Sequence, residues 1–537
     1  MSPQIVVVSI QLGTNRSGYS ISYPNRDIIH SEFNSWGDGK TKTVAVISLD
    51  ETGGFSKFGY DAREDHDNAI FSNYKMLLFD SESREKTMVK ADNCDQAASV
   101  ETLITESLKY LGSQARLKMM SWVPPLDQSV LWVITVPAIW DDVAKQVMRQ
   151  CAINAGLCTI DNHQESLLLA YESDAGAVEC IQSFNGCVEI GQAFLVCNLA
   201  SNHFECSVYR YLADGNLESL ITFGDNFGNI QCNQLFKAFI LDLFGDEVSH
   251  NIIDSPYLMT LMDRFEILKQ SMCDSCSNDG RPRHISFNPR DFNKSIDWLV
   301  QRVETYNRLH GTEICYKRSG HLCIPFDTFL TFFQPSFQKI LEYMKHQSYL
   351  PYAIRPTYIF MVGGFSENYF LQQLVKQEFE WTGAQLVVPS CPHLSVLRGA
   401  CRLGSTRLST IFKRTLQRSY AAAAPGQSDE CRLLARARDS ILVNKTTFLR
   451  FIPNLENQQF AKIALYSSVL PVINKTTDSG VLFIGNIHFE FPSSGDSPND
   501  RVVELDIGFG STEIFVSAKH LQTNQKINAT IDFINIK

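Results

Sequence analysis

The sequence predicts an α/β chain in which helices cover a sheet, followed by a small antiparallel all-β unit. Three patterns carry that expectation. A strand–turn–strand shape occurs twice, at Ile5–Tyr23 and again at Ala193–Tyr209, as an internally duplicated unit would show. Two apolar, β-branched runs, Leu131–Val136 and Tyr358–Val362, each lead through a turn into a helix-periodic stretch. Beyond about residue 425 helical periodicity gives way to alternation with period two.

The elements follow in order. Ile5–Ile10 is a β-branched run of buried-strand character, Gln11–Gly18 is a polar turn, and Tyr19–Tyr23 alternates. Gly37-Asp-Gly39-Lys40-Thr41 looks like the second half of a P-loop, but the glycine required earlier in that motif is Asn34. Thr43–Leu49 alternates like a strand where the motif needs a helix, so a polar hairpin turn is expected. Pro137 ends the strand Leu131–Val136, and Asp141 and Asp142 favour a helix N-terminus. Val143, Val147, Cys151 and Ala155 then recur every fourth residue, and Gly156 stops the helix. After Tyr358–Val362, Gly363-Gly364 is a tight turn, Ser366 the expected N-cap, and Phe370, Leu371, Leu374 and Val375 one helix face. Tyr420–Asp429, alanine-rich with Pro425 and Gly426, reads as a linker. In the last unit Val503, Leu505, Ile507 and Phe509 oppose Glu504 and Asp506. Ile527, Ala529, Ile531 and Phe533 likewise oppose Asn528, Thr530 and Asp532.

Apolar residues make up 44% and charged residues 20% of the chain, ordinary globular usage. A net charge of −10 argues against a surface built as a whole for nucleic-acid phosphates, so no nucleic-acid partner is expected. No stretch approaches the roughly 18 apolar residues of a membrane span, and the N-terminus has no basic region; a cytoplasmic or nuclear protein is expected. The 15 cysteines are odd in number and scattered singly through apolar segments, the pattern of reduced core residues. Cys273 and Cys276 form a Cys-x-x-Cys with no second pair to complete a zinc site.

Glycine and threonine at a strand end let backbone N–H groups approach phosphate oxygens, because no Cβ blocks them. A Gly-Gly before a helix N-terminus can do the same. The two hairpin turns and Gly363-Gly364 are therefore the candidate phosphate elements, although each alone is an ordinary tight turn. His203 has the chemistry of a general base, but no nucleophile pattern accompanies it and a hydrogen-bonded turn histidine is expected. Arg402, Arg407, Lys413, Arg414 and Arg418 fit a solvated helix face.

Ile10-Gln-Leu-Gly-Thr-Asn-Arg-Ser-Gly-Tyr19 resembles the first phosphate turn of the actin-like ATPase fold, in the version used by the seventy-kilodalton heat-shock proteins. Trp132-Val-Ile-Thr-Val-Pro-Ala-Ile-Trp140, with Ala144-Lys-Gln-Val-Met-Arg149 and Ala155-Gly-Leu157 after it, is similar to that family's divergent member-12 subfamily. So are Phe58-Gly-Tyr60, Tyr74-Lys-Met76, Phe265-Glu-Ile-Leu-Lys269, Met361-Val-Gly-Gly-Phe-Ser366 and Val396-Leu-Arg-Gly-Ala400. Val503 to Phe533 resembles the end of the family's substrate-binding β-sandwich. The resemblance implies a two-lobed actin-like ATPase domain of duplicated ribonuclease H-like units, lobe I at 1–188 and lobe II at 189–418, and a β-sandwich at 425–537. It implies that Lys75 is the catalytic lysine at the γ-phosphate, Glu165 the acid that orders the attacking water, and Glu205 the second acid of the second turn. Gly13, Thr14, Asn15 and Gly224 would cradle phosphate. Glu266 and Lys269 would clamp adenosine, and Gly363, Gly364 and Phe365 would line the other side of the nucleoside. ATP or ADP is the implied cofactor, and a protein partner or polypeptide client the implied ligand.

The departures from that pattern point away from catalysis. Gln11 and Asn198 stand where the family carries the acids that organise magnesium, and Ala200, Ser201 and Asn202 replace a glycine run. An amide keeps the carboxylate's shape without its attraction for a hard cation. Asn233 is likewise an amide where an Asp is implied. A heat-shock-70-like interaction protein follows, ATP- or ADP-binding or nucleotide-insensitive, with a degenerate nucleotide site, no metal ligands at the acid positions and little or no hydrolysis. The alternative is an active ATP-dependent chaperone of the same type. The sequence stops at Lys537, so no helical lid is expected, and the Ala-Pro-Gly segment lacks the acidic-leucine linker of mainstream members.

Overall fold

The computed structural model describes residues 5–24, 29–30, 41–78, 88–122, 129–184, 188–245, 256–270, 272, 280–348, 354–423, 429–453, 458–492 and 498–534. Gly37–Lys40 and the Cys273–Cys276 pair lie outside these residues.

Ile5–Gln11 is the centre of the first sheet. It pairs antiparallel with Arg16–Ser22 across the first turn and parallel with Ser129–Val136, which pairs parallel with Leu167–Tyr171. Ala193–Leu199 repeats this in a second, seven-stranded sheet. It runs antiparallel to Phe204–Tyr211 across the second turn and parallel to Tyr358–Val362. A parallel neighbour requires a crossover, and both crossovers are helical. The first carries Val100–Trp122; the second carries Ile230–Phe244, Pro256–Gln270, Ile296–His310 and Gln334–Ser348. The duplication is thus one of topology.

Each sheet is buried on two faces, which is why its strands read as near-continuous apolar runs. Val6, Val8, Ile10, Trp132 and Ile134 join Leu108 and Met148 in one core. A phenylalanine-rich core covers the second sheet, where the rings of Phe236 and Phe265 stack 4.1 Å apart. The remaining faces meet in a third core, Val7 and Val133 from one sheet with Phe194, Val196 and Phe360 from the other. Helices Glu172–Ser183 and Ser395–Ser405 cross at this centre. A Cβ on Gly399 would run into the Ala175 carbonyl, so only glycine permits that approach.

Helix Asp142–Asn154 starts as expected, with Asp141 accepting from the Ala144 N–H at 2.9 Å. Ser366 is not the cap of the later helix. Asn368 caps Tyr369–Phe379, because Gly364–Glu367 forms a helical turn of its own and the Ser366 hydroxyl donates back to the Val362 carbonyl.

The C-terminal residues form a five-stranded and a four-stranded antiparallel sheet around a shared core that includes Leu465, Ile487, Val503, Leu505 and Ile507. Tyr420–Ala423 of the expected linker is strand: Ser419–Ala423 pairs with Phe460–Ser468, and Ala421 is buried. Small side chains let this alanine run lie inside the sheet, where packing overrides weak β-propensity. Ser440–Leu442 returns to the second sheet beside Ile411–Thr415. The alternation at 527–533 is split, since Lys526–Ile527 belongs to the four-stranded sheet and Ala529–Asp532 to the five-stranded one. Helix Asp142–Asn154 carries the contact with this region. Arg149 holds Glu513 with two bonds of 2.8 and 2.5 Å, and Gln146 bonds the Ile531 carbonyl and the Phe533 N–H.

Candidate functional site

The two hairpin turns line one cavity of about 350 Å³. Gln11 and Gly13–Arg16 come from the first turn, and Asn198, Ala200, Ser201 and His203 from the second. A Cβ on Gly13 would strike the Arg16 carbonyl, and the Gly13 N–H donates to Ser17 Oγ at 3.2 Å; these contacts close the first turn. Gly363, at φ +89, brings the third turn against the Leu199 backbone, with Gly364 and Phe365 on the same cavity wall.

One wall is built on helix Pro256–Gln270. Glu266 and Lys269 are one turn apart and share a face, and Lys269 Nζ donates to Glu266 Oε1 at 2.7 Å and Asn233 Oδ1 at 2.6 Å. Asn233 Nδ2 in turn donates to the same Glu266 oxygen. Burial opposes the Glu266 charge, but Lys269 and Asn233 hold its carboxyl below the ordinary value.

Beneath the second turn lies a buried polar network centred on Glu172, which is 1% exposed. Leu167–Tyr171 is an apolar strand, and Glu172 opens the helix that follows it, placing an acid at a helix N-terminus. Glu172 Oε2 accepts from Asn198 Nδ2 at 2.9 Å and lies 3.1 Å from His203 Nε2; Oε1 is 3.6 Å from Lys75 Nζ. Burial would raise this carboxyl, yet His203, Lys75 and Asn198 together hold it far below its ordinary range. Glu205 accepts from the Ala138 N–H at 2.7 Å, and burial, with Glu172's charge adding, pushes it up to about 7 against the pull of His203. Burial also lowers Lys75, which Glu172 opposes.

This arrangement does not fit a divalent cation. Glu172, His203 and Glu205 have ligand atoms within 4.8 Å of one another, but Lys75 lies against Glu172 and the Asn198 amide donates to both carboxylates. At the first turn Gln11 Oε1 is taken by Lys42 Nζ at 2.5 Å. A cation or an N–H donor thus stands against Glu172, Glu205 and the Gln11 oxygen.

Of the residues singled out from sequence, Gly13, Thr14, Asn15, Glu266, Lys269, Gly363, Gly364 and Phe365 line the cavity. Lys75 and Glu205 lie behind its floor, joined to it through Glu172 and Asn198. Gly224 is off the cavity: it pairs with Glu205, and a Cβ there would meet the Phe204 carbonyl. Glu165 is also elsewhere. It sits exposed in the short helix His163–Ser166, where Arg407 donates to its backbone carbonyl. Glu172, which was not singled out from sequence, lines the cavity, and Glu165 does not. The signal was present as an apolar strand followed by Glu172-Ser-Asp-Ala-Gly-Ala177, small residues suited to close helix packing. Arg16, within the first-turn motif, and Lys42 also line the cavity, and no motif marks Lys42.

No family model matches the chain. Heat shock 70 kDa protein 12A of Mus musculus is 24% identical over an alignment of 630 residues, covering 99% of this chain and 92% of the relative. Human heat shock 70 kDa protein 12B is 24% identical, with 99% and 91% covered. Over nearly its whole length the chain is similar to heat shock 70 kDa proteins of the member-12 kind. Chaperone protein DnaK of Ureaplasma urealyticum matches 45% of it at 24% identity. This homology implies the two-lobed α/β arrangement of actin-like ATPases, and two topologically related sheets flanking one cleft accord with it. No described helix is long and apolar enough to cross a membrane.

Proposed function

We propose that this heat-shock-70-like chain binds ADP or ATP in the cleft between its two sheets, hydrolyses ATP little or not at all, and serves as an interaction protein for a protein partner or polypeptide client. One observation supports the reading: the two walls of the same cavity differ in what they leave open to a ligand. Glu266, Lys269 and Gly363–Phe365 converge on one side. Facing them, Gln11 Oε1 accepts from Lys42 Nζ, and Asn198 donates through Nδ2 to Glu172 and Glu205, so an ammonium and an amide N–H stand against these oxygens. Phosphoryl transfer relies on positioned charge, and removing one such group costs about 10²–10³ in rate. In this reading residues 1–188 and 189–418 are the two lobes, and 425–537 is a β-sandwich that meets the partner.

Calorimetric titration with ADP, ATP and adenosine tests the binding, and single-turnover cleavage of ATP tests the chemistry. Binding with turnover at background is expected. ATP cleavage abolished by Lys75→Ala would establish the alternative, a working ATPase in which Lys75, held by Glu172, acts on the γ-phosphate.

A further inference from the structure

Among the described residues, two cations on the cavity wall form no ion pair. Lys42 is 8% exposed, and among the described residues its ammonium has one hydrogen-bond partner, the neutral Gln11 Oε1, and no ion pair. Arg16, half-buried on the same wall, has no side-chain partner among the described residues. The acids of the cavity are already engaged: Glu172 with Lys75 and His203, Glu266 with Lys269, and Glu367 with His393. A buried ammonium against a single neutral acceptor is unfavourable until an anion completes its shell.

We propose that Lys42 is the built-in counter-charge of this site: its ammonium, with the Arg16 guanidinium, contacts the phosphate chain of a nucleoside di- or triphosphate directly, so that the polyphosphate binds without a divalent cation. The inference rests on the nucleotide reading above and adds what neutralises the phosphates. Three features lead to it. Lys42 is held at Gln11, directly before the Gly13 turn, so its charge lies where the first turn meets the cavity. Gln11 can orient the ammonium but cannot neutralise it, so the charge remains available to a ligand. A guanidinium beside it supplies the forked donor geometry that phosphate oxygens accept. Burial brings Lys42's own titration down to about 8, with Arg16 and Lys75 adding to the fall against Glu172 and Glu367, as expected of a cation awaiting its anion.

The test is calorimetric titration of the full chain with ADP, adenosine and pyrophosphate, each in magnesium and in EDTA, for the wild type, Lys42→Met and Lys42→Arg. ADP affinity is expected to be the same in magnesium and EDTA. Lys42→Met should weaken ADP by roughly 10- to 100-fold, leave adenosine unchanged, and be largely rescued by Lys42→Arg. In the wild type the preference for ADP over adenosine should fall as pH rises past the Lys42 titration, and in Lys42→Met it should stay flat. Magnesium-dependent ADP binding, or an ADP preference indifferent to both Lys42→Met and pH, overturns the proposal and leaves nucleotide binding standing. Lys42-dependent binding of pyrophosphate without ADP or adenosine overturns the nucleotide reading and keeps the anion site. Absence of binding by all three ligands overturns both.

Discussion

Lys42→Met should make the ligand-free protein more stable although it damages the proposed site. Burial, aided by Arg16 and Lys75 and opposed by Glu172 and Glu367, moves the Lys42 ammonium from an ordinary value near 10.5 to about 8. Each unit is about 1.4 kcal/mol, so the folded state holds this charge at a cost of about 3 kcal/mol relative to the unfolded chain. Methionine keeps an unbranched stem of similar length and forfeits the bond to Gln11, worth about 1 kcal/mol. The net expectation at pH 7 is a gain of about 2 kcal/mol.

The sign of the pH dependence follows from the same numbers. Between about 8 and about 10.5 the unfolded chain still holds the Lys42 proton while the folded one has released it. Stability therefore rises with pH through that window, and the penalty is fully present below it. Thermal unfolding of wild type and variant at a series of pH values, without nucleotide, measures the difference. The advantage of Lys42→Met should be largest near pH 7 and close toward pH 10.5. Excess ADP should reverse the order, because ligand stabilises in proportion to its affinity. A variant less stable than wild type at pH 7, or an advantage that does not shrink with pH, refutes the reasoning.

Glu172→Gln should lower stability by about 3–5 kcal/mol, because Lys75 loses its buried counter-ion, whereas Glu165→Gln on the exposed helix should stay within about 0.5 kcal/mol; thermal unfolding compares them. Gly399→Val places a branched side chain against the Ala175 carbonyl and should cost about 3 kcal/mol or more, read as loss of soluble yield and a lower Tm. Arg149→Ala removes the paired bonds to Glu513 and should cost only about 1 kcal/mol overall, since both partners are partly exposed. It should nevertheless speed amide exchange around 512–514, where the C-terminal sheets meet helix Asp142–Asn154, and leave exchange at the Glu172 helix unchanged.

The fold was legible wherever burial writes itself into residue type. Ile5–Ile10, Leu131–Val136, Ala193–Cys197 and Tyr358–Val362 are apolar runs because their sheets are covered on both faces, and all four are strands. Asp141 announced a helix start because a carboxylate satisfies an orphan N–H. The alanine run at 420–423 misled because its strand is specified by neighbours: Ala421–Ala423 face Tyr466, Leu465 and Ala464, partners invisible to local propensity. Asn528 hid a change of sheet for the same reason. Alternation reports that one face is buried and does not say against which sheet.

The site divided along a similar line. Turns built on glycine could be found, since Gly13 and Gly363 are required by close backbone approach. Charged residues could not be placed without knowing what faces them: Glu165 lies away from the cavity, and Lys42, unmarked by any motif, lines it. A buried charge is identified by its partner across the fold: Glu172 by Lys75, His203 and Asn198, and Lys42 by Gln11. Gln11 taken alone reads, through the resemblance, as an amide where a metal-organising acid is expected. Beside Lys42 it acquires a second meaning, because an aspartate at that position would pair with the ammonium and consume the charge offered to phosphate. The neutral amide forms no ion pair with Lys42, so in the proposed site a fixed ammonium would stand where a diffusible cation could otherwise be recruited.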